Sequence, residues 1–176
     1  MKKFTAFLFA ALVASGVSVA KDVADRRLPF VVESDAATYT DITQTSVFTG
    51  RVILTQGTTR IEADHVETIV DPEGYQFATA TMSAKGGLVQ IEQKREGTNE
   101  IIKGQAHKLI YDGKQNLILL SGQAQMRRLT PSGQLIDKID ADELVYNQLT
   151  EVFESHAKPS GTGRTRVIIT PNSQAK

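Results

Sequence analysis

The feature that most restricts the fold of this sequence is an alternation of apolar and polar residues, in runs separated by turn-forming residues. Within residues 47–56, Phe48, Val52 and Leu54 share one face, and mostly polar side chains take the other. A period of two residues is typical of a β-strand that buries one face. No amphipathic helix is recognisable after residue 20, so the sequence predicts an all-β fold. Turn-forming sequences, which supply the backbone angles for tight reversals, recur at residues 71–74, 85–87, 96–99, 112–113 and 131–133.

An internal repeat organises these strands. Residues 61–66 (IEADHV) return as residues 139–144 (IDADEL), with looser copies at residues 102–107 and 32–37. A glycine-centred strand also recurs, at residues 48–52 (FTGRV) and 120–124 (LSGQA). One such unit cannot bury its apolar face alone, so we expect stacked two-stranded units that form two facing sheets with a continuous apolar interior. The small residues Gly50, Gly122, Ala63 and Ala141 suit a kink or a close approach of the sheets.

The N-terminus predicts export. Lys2 and Lys3 precede an apolar run at residues 4–13, and residues 18–20 (SVA) form a small-x-small cleavage site. We therefore expect a signal peptide at residues 1–20, one domain at residues 21–170 and a disordered tail at residues 171–176. A retained membrane anchor is the alternative for the first segment. The formal charge of +0 argues against a nucleic-acid partner, and the absence of cysteine excludes disulfides and thiolate chemistry.

No constellation of residues predicts catalysis or metal binding. His65, His107 and His156 are scattered, without the spacing of a zinc site. Asp64 and Asp142 are the candidates for a carboxylate pair, as in a carbohydrate-active enzyme. However, they occupy equivalent repeat positions, and hydrogen bonding to the backbone of a corner explains both. We therefore predict no catalytic residue, no metal ligand and no cofactor.

Three arginine clusters are the remaining polar feature, at residues 26–27, 127–128 and 164–166. Arginine pairs with phosphate through forked hydrogen bonds. Solvated strand ends are the simpler interpretation, and the sequence alone favours it.

The order of several short motifs resembles a known family. Residues 29–35 (PFVVESD), 48–57 (FTGRVILTQG) and 61–64 (IEAD), followed by residues 104–106, 119–122 and 139–142, resemble the OstA-like family of periplasmic lipopolysaccharide-transport proteins. The resemblance covers roughly residues 28–170 and is poor over residues 79–102, where no strand register is predicted.

The resemblance implies an open β-jellyroll with a V-shaped cross-section. Its function would be to bind the lipid A acyl chains of lipopolysaccharide in an apolar groove. The protein would carry the lipid across the periplasm as a head-to-tail bridge of its own copies. The implied protein partners are an inner-membrane anchored LptC-like protein and an outer-membrane LptD-like translocon. Two alternatives remain open: an adaptor β-domain that binds proteins without lipid, and the carbohydrate-active enzyme.

Alternation and resemblance together assign candidate site residues. The edge strands expected to receive protein partners comprise Phe30, Val31, Val32, Arg166, Val167, Ile168 and Ile169. The residues expected to face inward and contact lipid are Phe30, Val32, Phe48, Val52, Leu54, Ile61, Ile91, Leu109, Tyr111, Ile118, Leu120, Met126, Ile139, Leu144, Tyr146 and Phe153.

Overall fold

The computed structural model describes residues 28–83, 87–95, 98–157 and 163–171. Over these residues the chain is all-β and forms one 12-stranded antiparallel sheet, which confirms the predicted fold class. None of the described segments is a helix that is long and apolar enough to cross a membrane. The predicted signal peptide lies outside the described residues. The strands are β1 (Val31–Glu33), β2 (Ala36–Thr40), β3 (Thr45–Gln56), β4 (Thr59–Val70), β5 (Gln76–Thr81), β6 (Val89–Lys94), β7 (Ile101–Ala106), β8 (Lys108–Asp112), β9 (Leu117–Leu129), β10 (Leu135–Asn147), β11 (Val152–His156) and β12 (Arg166–Ile169).

The sheet folds into two leaves because its long strands change partners halfway along. In the first leaf, β2, β3, β4, β5, β8, β9, β10 and β11 lie side by side. In the second leaf the order is β1, β3, β4, β6, β7, β9, β10 and β12. The strands β3, β4, β9 and β10 therefore belong to both leaves. The short strands belong to one leaf each. The result is the open β-jellyroll that the family resemblance implies.

The line along which the strands pass between leaves is here called the seam. At this line β3 and β9 each contain a glycine followed by a second residue with positive φ: Gly50 at 76° with Arg51 at 44°, and Gly122 at 80° with Gln123 at 51°. The pairing registers shift at the same places, as in β-bulges. Bulges bend a strand and increase its twist, and glycine adopts positive φ without steric cost. Gly50 and Gly122, two of the four small residues predicted to suit a kink or a close approach, thus lie at the corners of the chain.

The seam also confirms the internal repeat. The segment with residues 61–66 and the segment with residues 139–144 both run along the second leaf to the seam and continue into the first. The looser copies make the same passage, from β1 to β2 and from β7 to β8. Each repeat is then completed by a return from the first leaf to the second. In residues 79–102, where the resemblance is poor, β5 ends in the first leaf and β6 lies in the second.

The facing sides of the two leaves form one apolar core. The largest fully buried side chains include Leu54, Leu109, Ile118, Leu120 and Leu144. Full burial of an aliphatic side chain of this size contributes roughly 1.5–3 kcal/mol. Because successive side chains of a strand point to opposite faces, the polar residues between them lie on the outer surfaces. The opposite ends of the strands form a second line, here called the mouth. The turns at residues 71–75 and 148–151 of the first leaf lie there, as do residues 57–58, 95 and 98–100 of the second.

Candidate functional site

The residues predicted to face inward do so. Each is a buried member of the core or is partly buried against it. The partly buried ones lie on strands near the two ends of the leaves or, for Phe30, directly before one, and they are Phe30, Val32, Phe48, Ile139 and Phe153. The alternation therefore predicted correctly that each of these side chains lies on the interior face of its leaf. Contact between these residues and lipid stays a prediction.

Several interior residues were missed by the sequence reasoning. Most of them are alanines or lie in β5–β7, where the alternation involves alanine and glycine; Val66 of β4 is the exception. The Cα of Gly104 packs closely against the side chains of Ile91, Leu120 and Met126. A Cβ at this position would clash unless these side chains moved. The sequence of residues 76–81 (QFATAT) has few large apolar residues and does not predict a buried strand, although both of its alanines are buried. The missed core residues are Ala63, Val66, Ala78, Ala80, Val89, Ile102, Ala106 and Ala124.

At the N-terminal end the mouth is closed by neutral groups. The ring of Phe30, next to the second leaf, meets the ring of Tyr111 in the first leaf edge to face, with centroids 5.7 Å apart. The amide nitrogen of Gln56 donates to the side-chain oxygen of Gln76 at 3.1 Å and to the backbone oxygen of Leu28 at 2.9 Å. These contacts join the tips of the two leaves. An apolar chain that enters here must first separate them.

At the C-terminal end the two leaves enclose an open cavity of about 250 Å³. Tyr146 and Phe153 of the first leaf form one wall, with their rings stacked at 4.3 Å. The second leaf supplies the other wall from Ile102, Met126, Ile139, Val167 and Ile169. The volume is slightly below the range typical of small-molecule sites. The cavity is continuous with the apolar faces of both leaves.

The cavity is open because the sheet ends there. β12 pairs with β10 on one side only, so the described residues leave its other edge without a neighbouring strand. Val167 and Ile169 face the interior but remain 52% and 77% exposed. Exposed apolar side chains on a free strand edge are typical of a surface to which another molecule adds. The predicted partner segments, residues 30–32 and 166–169, lie at opposite ends of the second leaf; their role in partner binding stays a prediction.

A network of five charged residues forms the rim of this cavity. In the second leaf, Arg95 donates to Glu100 at 2.8 Å, and Arg128 donates to Asp137 at 3.0 Å. Glu100 lies 3.6 Å from Arg128 as well, so it joins the two arginines. Arg95 also donates across the mouth to Glu151 of the first leaf. Both partners of that ion pair are only 21% and 27% exposed. The hydrogen bond that Arg95 donates to Glu151 is the main cause that raises the pKa of Arg95 above its usual value.

The candidate catalytic carboxylates lie far apart. Asp64 is on β4 and Asp142 is on β10, which is four strands away in either leaf. At about 4.8 Å per strand this places them roughly 19 Å apart, beyond the separation of a glycosidase pair. Asp64 accepts the backbone N–H of Ser83 at 3.0 Å and its hydroxyl at 2.6 Å, which lowers the pKa of the carboxyl group. The backbone of Gly163 likewise lies against the carboxylate of Asp142.

The histidines follow the seam rather than a common site. His107 lies at the corner between β7 and β8, and His65 lies just beyond the corner of β4. His156 ends β11. Within the described part of the chain, no three histidine, aspartate or glutamate side chains come together as possible metal ligands.

Fold and site together define a class: an open β-jellyroll with two leaves, an apolar interior and access to that interior at one end. The chain belongs to the family described as LptA/(LptD N-terminal domain) LPS transport protein, whose sequence model matches residues 31–152. This result confirms the family predicted from the motifs.

Individual relatives agree with that assignment. The lipopolysaccharide export system protein LptA of Escherichia coli strain K12 is 24% identical over 168 residues, which cover 94% of this chain and 83% of that protein. The LptA of Haemophilus influenzae is 28% identical over 169 residues, covering 94% and 90% respectively. Among solved structures, LptH of Pseudomonas aeruginosa, the periplasmic LptA homologue of its lipopolysaccharide transport device, matches with a TM-score of 0.72 and 24% identity. That match covers 84% of this chain and 99% of LptH.

Proposed function

We propose that this protein binds the acyl chains of lipopolysaccharide between its two leaves and carries the lipid across the periplasm. The observation that carries the proposal is the cavity between Tyr146 and Ile139, which opens a continuous apolar interior to its surroundings at the C-terminal edge. Transfer of one CH₂ group from water is worth about 0.8 kcal/mol, so partial shelter of several acyl chains is a large effect. Membership of a lipopolysaccharide transport family selects this ligand among other amphiphiles.

The two ends of the leaves support a bridge of several proteins. β1 and β2 form the edges at one end, and β11 and β12 form the edges at the other. Strand addition at both ends would align the interiors of successive molecules into one path. We infer that one end receives an LptC-like anchored protein and the other an LptD-like translocon, with further copies of this chain between them. Export through a signal peptide at residues 1–20, a domain at residues 21–170 and a disordered tail at 171–176 belong to the same proposal.

The proposed role is not enzymatic. The wide separation of Asp64 from Asp142 and their contacts at corners support this view. The relatives carry the name of export system proteins. The protein therefore supplies a path, and the energy for movement along it comes from elsewhere.

Photocrosslinking in Gram-negative cells tests the proposal, because neighbouring residues of one strand provide matched controls. A photoreactive phenylalanine analogue is placed at Ile139, which faces the cavity, or at Lys138, which faces outward on the same strand. A second pair is Tyr111 and Ile110 on β8.

We expect lipopolysaccharide adducts at Ile139 and Tyr111 and none at Lys138 or Ile110. Equal labelling of both faces would indicate nonspecific contact. Absence of adducts at all four positions in folded protein would favour the adaptor function.

A further inference from the structure

The charged rim of the cavity differs from the other contacts across the mouth. Gln56 and Gln76 join the leaves through neutral amides, whereas Arg95 and Glu151 join them through an ion pair. Placing two ions where they are only about a quarter exposed carries a larger desolvation cost than a neutral contact of the same geometry. The ionic contact lies at the open end, beside the apolar wall of the cavity. If the acyl chains of a lipid occupied the cavity, its polar headgroup would lie beside this ionic contact.

The two arginines are already arranged to hold one anion jointly. Arg95 directly follows β6 and Arg128 lies on β9, and both point to the cavity from the second leaf. Glu100 contacts Arg95 at 2.8 Å and Arg128 at 3.6 Å, so the two guanidinium groups stay close together without help from the first leaf. A guanidinium group offers a fork of N–H donors that matches the oxygens of phosphate.

Resting on the proposed function, we propose that Arg95 and Arg128 form a subsite for a phosphate group of the lipid headgroup, and that this phosphate replaces Glu151 as the partner of Arg95. The exchange separates the two leaves at the mouth, since Glu151 belongs to the turn between β10 and β11 and Arg95 to the opposite leaf. A phosphate group carries more negative charge and more acceptor oxygens than the carboxylate that it displaces. Binding of the headgroup phosphate is then coupled to opening of the mouth, through which the acyl chains enter the cavity.

Two substitutions with opposite expected effects test this subsite. Purified full-length protein is titrated with lipopolysaccharide and with lipopolysaccharide stripped of its phosphates. In Arg95→Gln we expect the affinity for the phosphorylated lipid to fall about tenfold, because a hydrogen bond between charged groups is lost. The affinity for the stripped lipid should not change. In Glu151→Gln we expect affinity for the phosphorylated lipid to rise, because the competing carboxylate is gone.

Arg60→Gln is the matched control, because it removes an arginine that is paired with Glu62 on the outer face of the same leaf. It should bind both lipids like the wild type. Arg95→Lys keeps the charge and should retain part of the affinity for the phosphorylated lipid. Equal losses for both lipids in Arg95→Gln would mean that the pair only supports the fold, and would overturn the subsite.

The outcomes separate the subsite from the proposed function itself. If the wild type binds neither lipid, the proposed function fails. If the wild type binds both and Arg95→Gln binds both equally well, only the subsite fails. Inorganic phosphate, titrated alone, distinguishes a free anion from a headgroup. We expect it to leave lipid binding unchanged at millimolar concentration, and saturable competition would assign the arginines to free phosphate instead.

Discussion

The backbone N–H of Asp35 donates a hydrogen bond of 2.9 Å to the carbonyl oxygen of Gly50 across the seam. The same bond, of the same length, joins His107 to Gly122 in the second glycine-centred strand. These two contacts pair the corner of a short strand with the corner of the long strand beside it. Because the bond uses a backbone carbonyl in a positive-φ segment, it depends on glycine at both positions.

The first prediction concerns this corner. A Cβ at Gly50 would lie 2.9 Å from the Cβ of Asp35, whereas a Cβ at Gly74 would meet nothing within 4 Å, although both glycines have positive φ. Gly74→Ala should therefore cost only the backbone strain, about 1–2 kcal/mol of the free energy of unfolding. Gly50→Ala should cost a further 1–3 kcal/mol, roughly, from overpacking. Urea denaturation measures both, and equal losses would contradict the steric role of Gly50.

The second prediction separates residues that hold the fold from residues that only line its opening. Leu120 is fully buried between the leaves, and Leu120→Ala should lower the free energy of unfolding by about 2–5 kcal/mol. Ile169 lies on the free edge at 77% exposure, so Ile169→Ala should change stability by less than about 0.5 kcal/mol while weakening lipid binding. Ile42, at 96% exposure, is the control and should affect neither quantity. Similar destabilisation at Leu120 and Ile169 would indicate a closed interior.

The third prediction is a pH dependence at the seam. The hydroxyl and the backbone N–H of Ser83 donate to Asp64 and lower its pKa in the folded state. A carboxyl group with a lowered folded pKa stabilises the fold above its unfolded pKa, and this contribution is lost as the pH falls through the folded value. Wild type should therefore lose its stability advantage over Asp64→Asn below about pH 4. Denaturation at pH 7 and pH 3 measures the difference, and an advantage that persists undiminished at pH 3 would contradict the assignment.

The fourth prediction uses the alternation of hydrogen bonds along β12. The N–H of Thr170 donates to Ile136 in β10, so by antiparallel geometry the N–H of Ile168 also points to β10, and that of Val167 points to the free edge. Val167→Pro should abolish end-to-end association and leave the fold intact, because it removes only an outward donor. Ile168→Pro should instead destabilise the pairing with β10.

Sedimentation at several protein concentrations reports the association, and denaturation reports the fold. Association that survives Val167→Pro would mean that β12 is not the contact between copies.

Most large apolar side chains of the interior could be predicted from the sequence, and most small ones could not. Phe48, Val52 and Leu54 alternate with mostly polar neighbours, and the hydrophobic effect places such residues on the interior face wherever a sheet has one. Ala78 and Ala80 were missed because a methyl side chain has little apolar surface and adds little to the alternation. Their burial follows from the close approach of the leaves, a tertiary property.

The ion pairs at the rim of the cavity could not be predicted from the local sequence pattern either. The sequence marked residues 127–128 as a basic cluster, but the structure divides the pair: Arg128 points into the cavity, and Arg127 points to the outer face. Arg95 and Glu151 are separated by 56 residues, and only the folding of one leaf over the other brings them together. Ion pairs between distant segments leave no periodic trace in a single sequence.

The passage of every repeat through both leaves has a consequence for length. One repeat adds two strands to each leaf, and strands are spaced about 4.8 Å apart, so one repeat extends the interior by roughly 10 Å without altering its cross-section. The eight strands of a leaf span about 34 Å in this way. Duplication or deletion of one repeat would therefore change the length of the interior by this whole increment, and the strands at the two ends would keep the same arrangement.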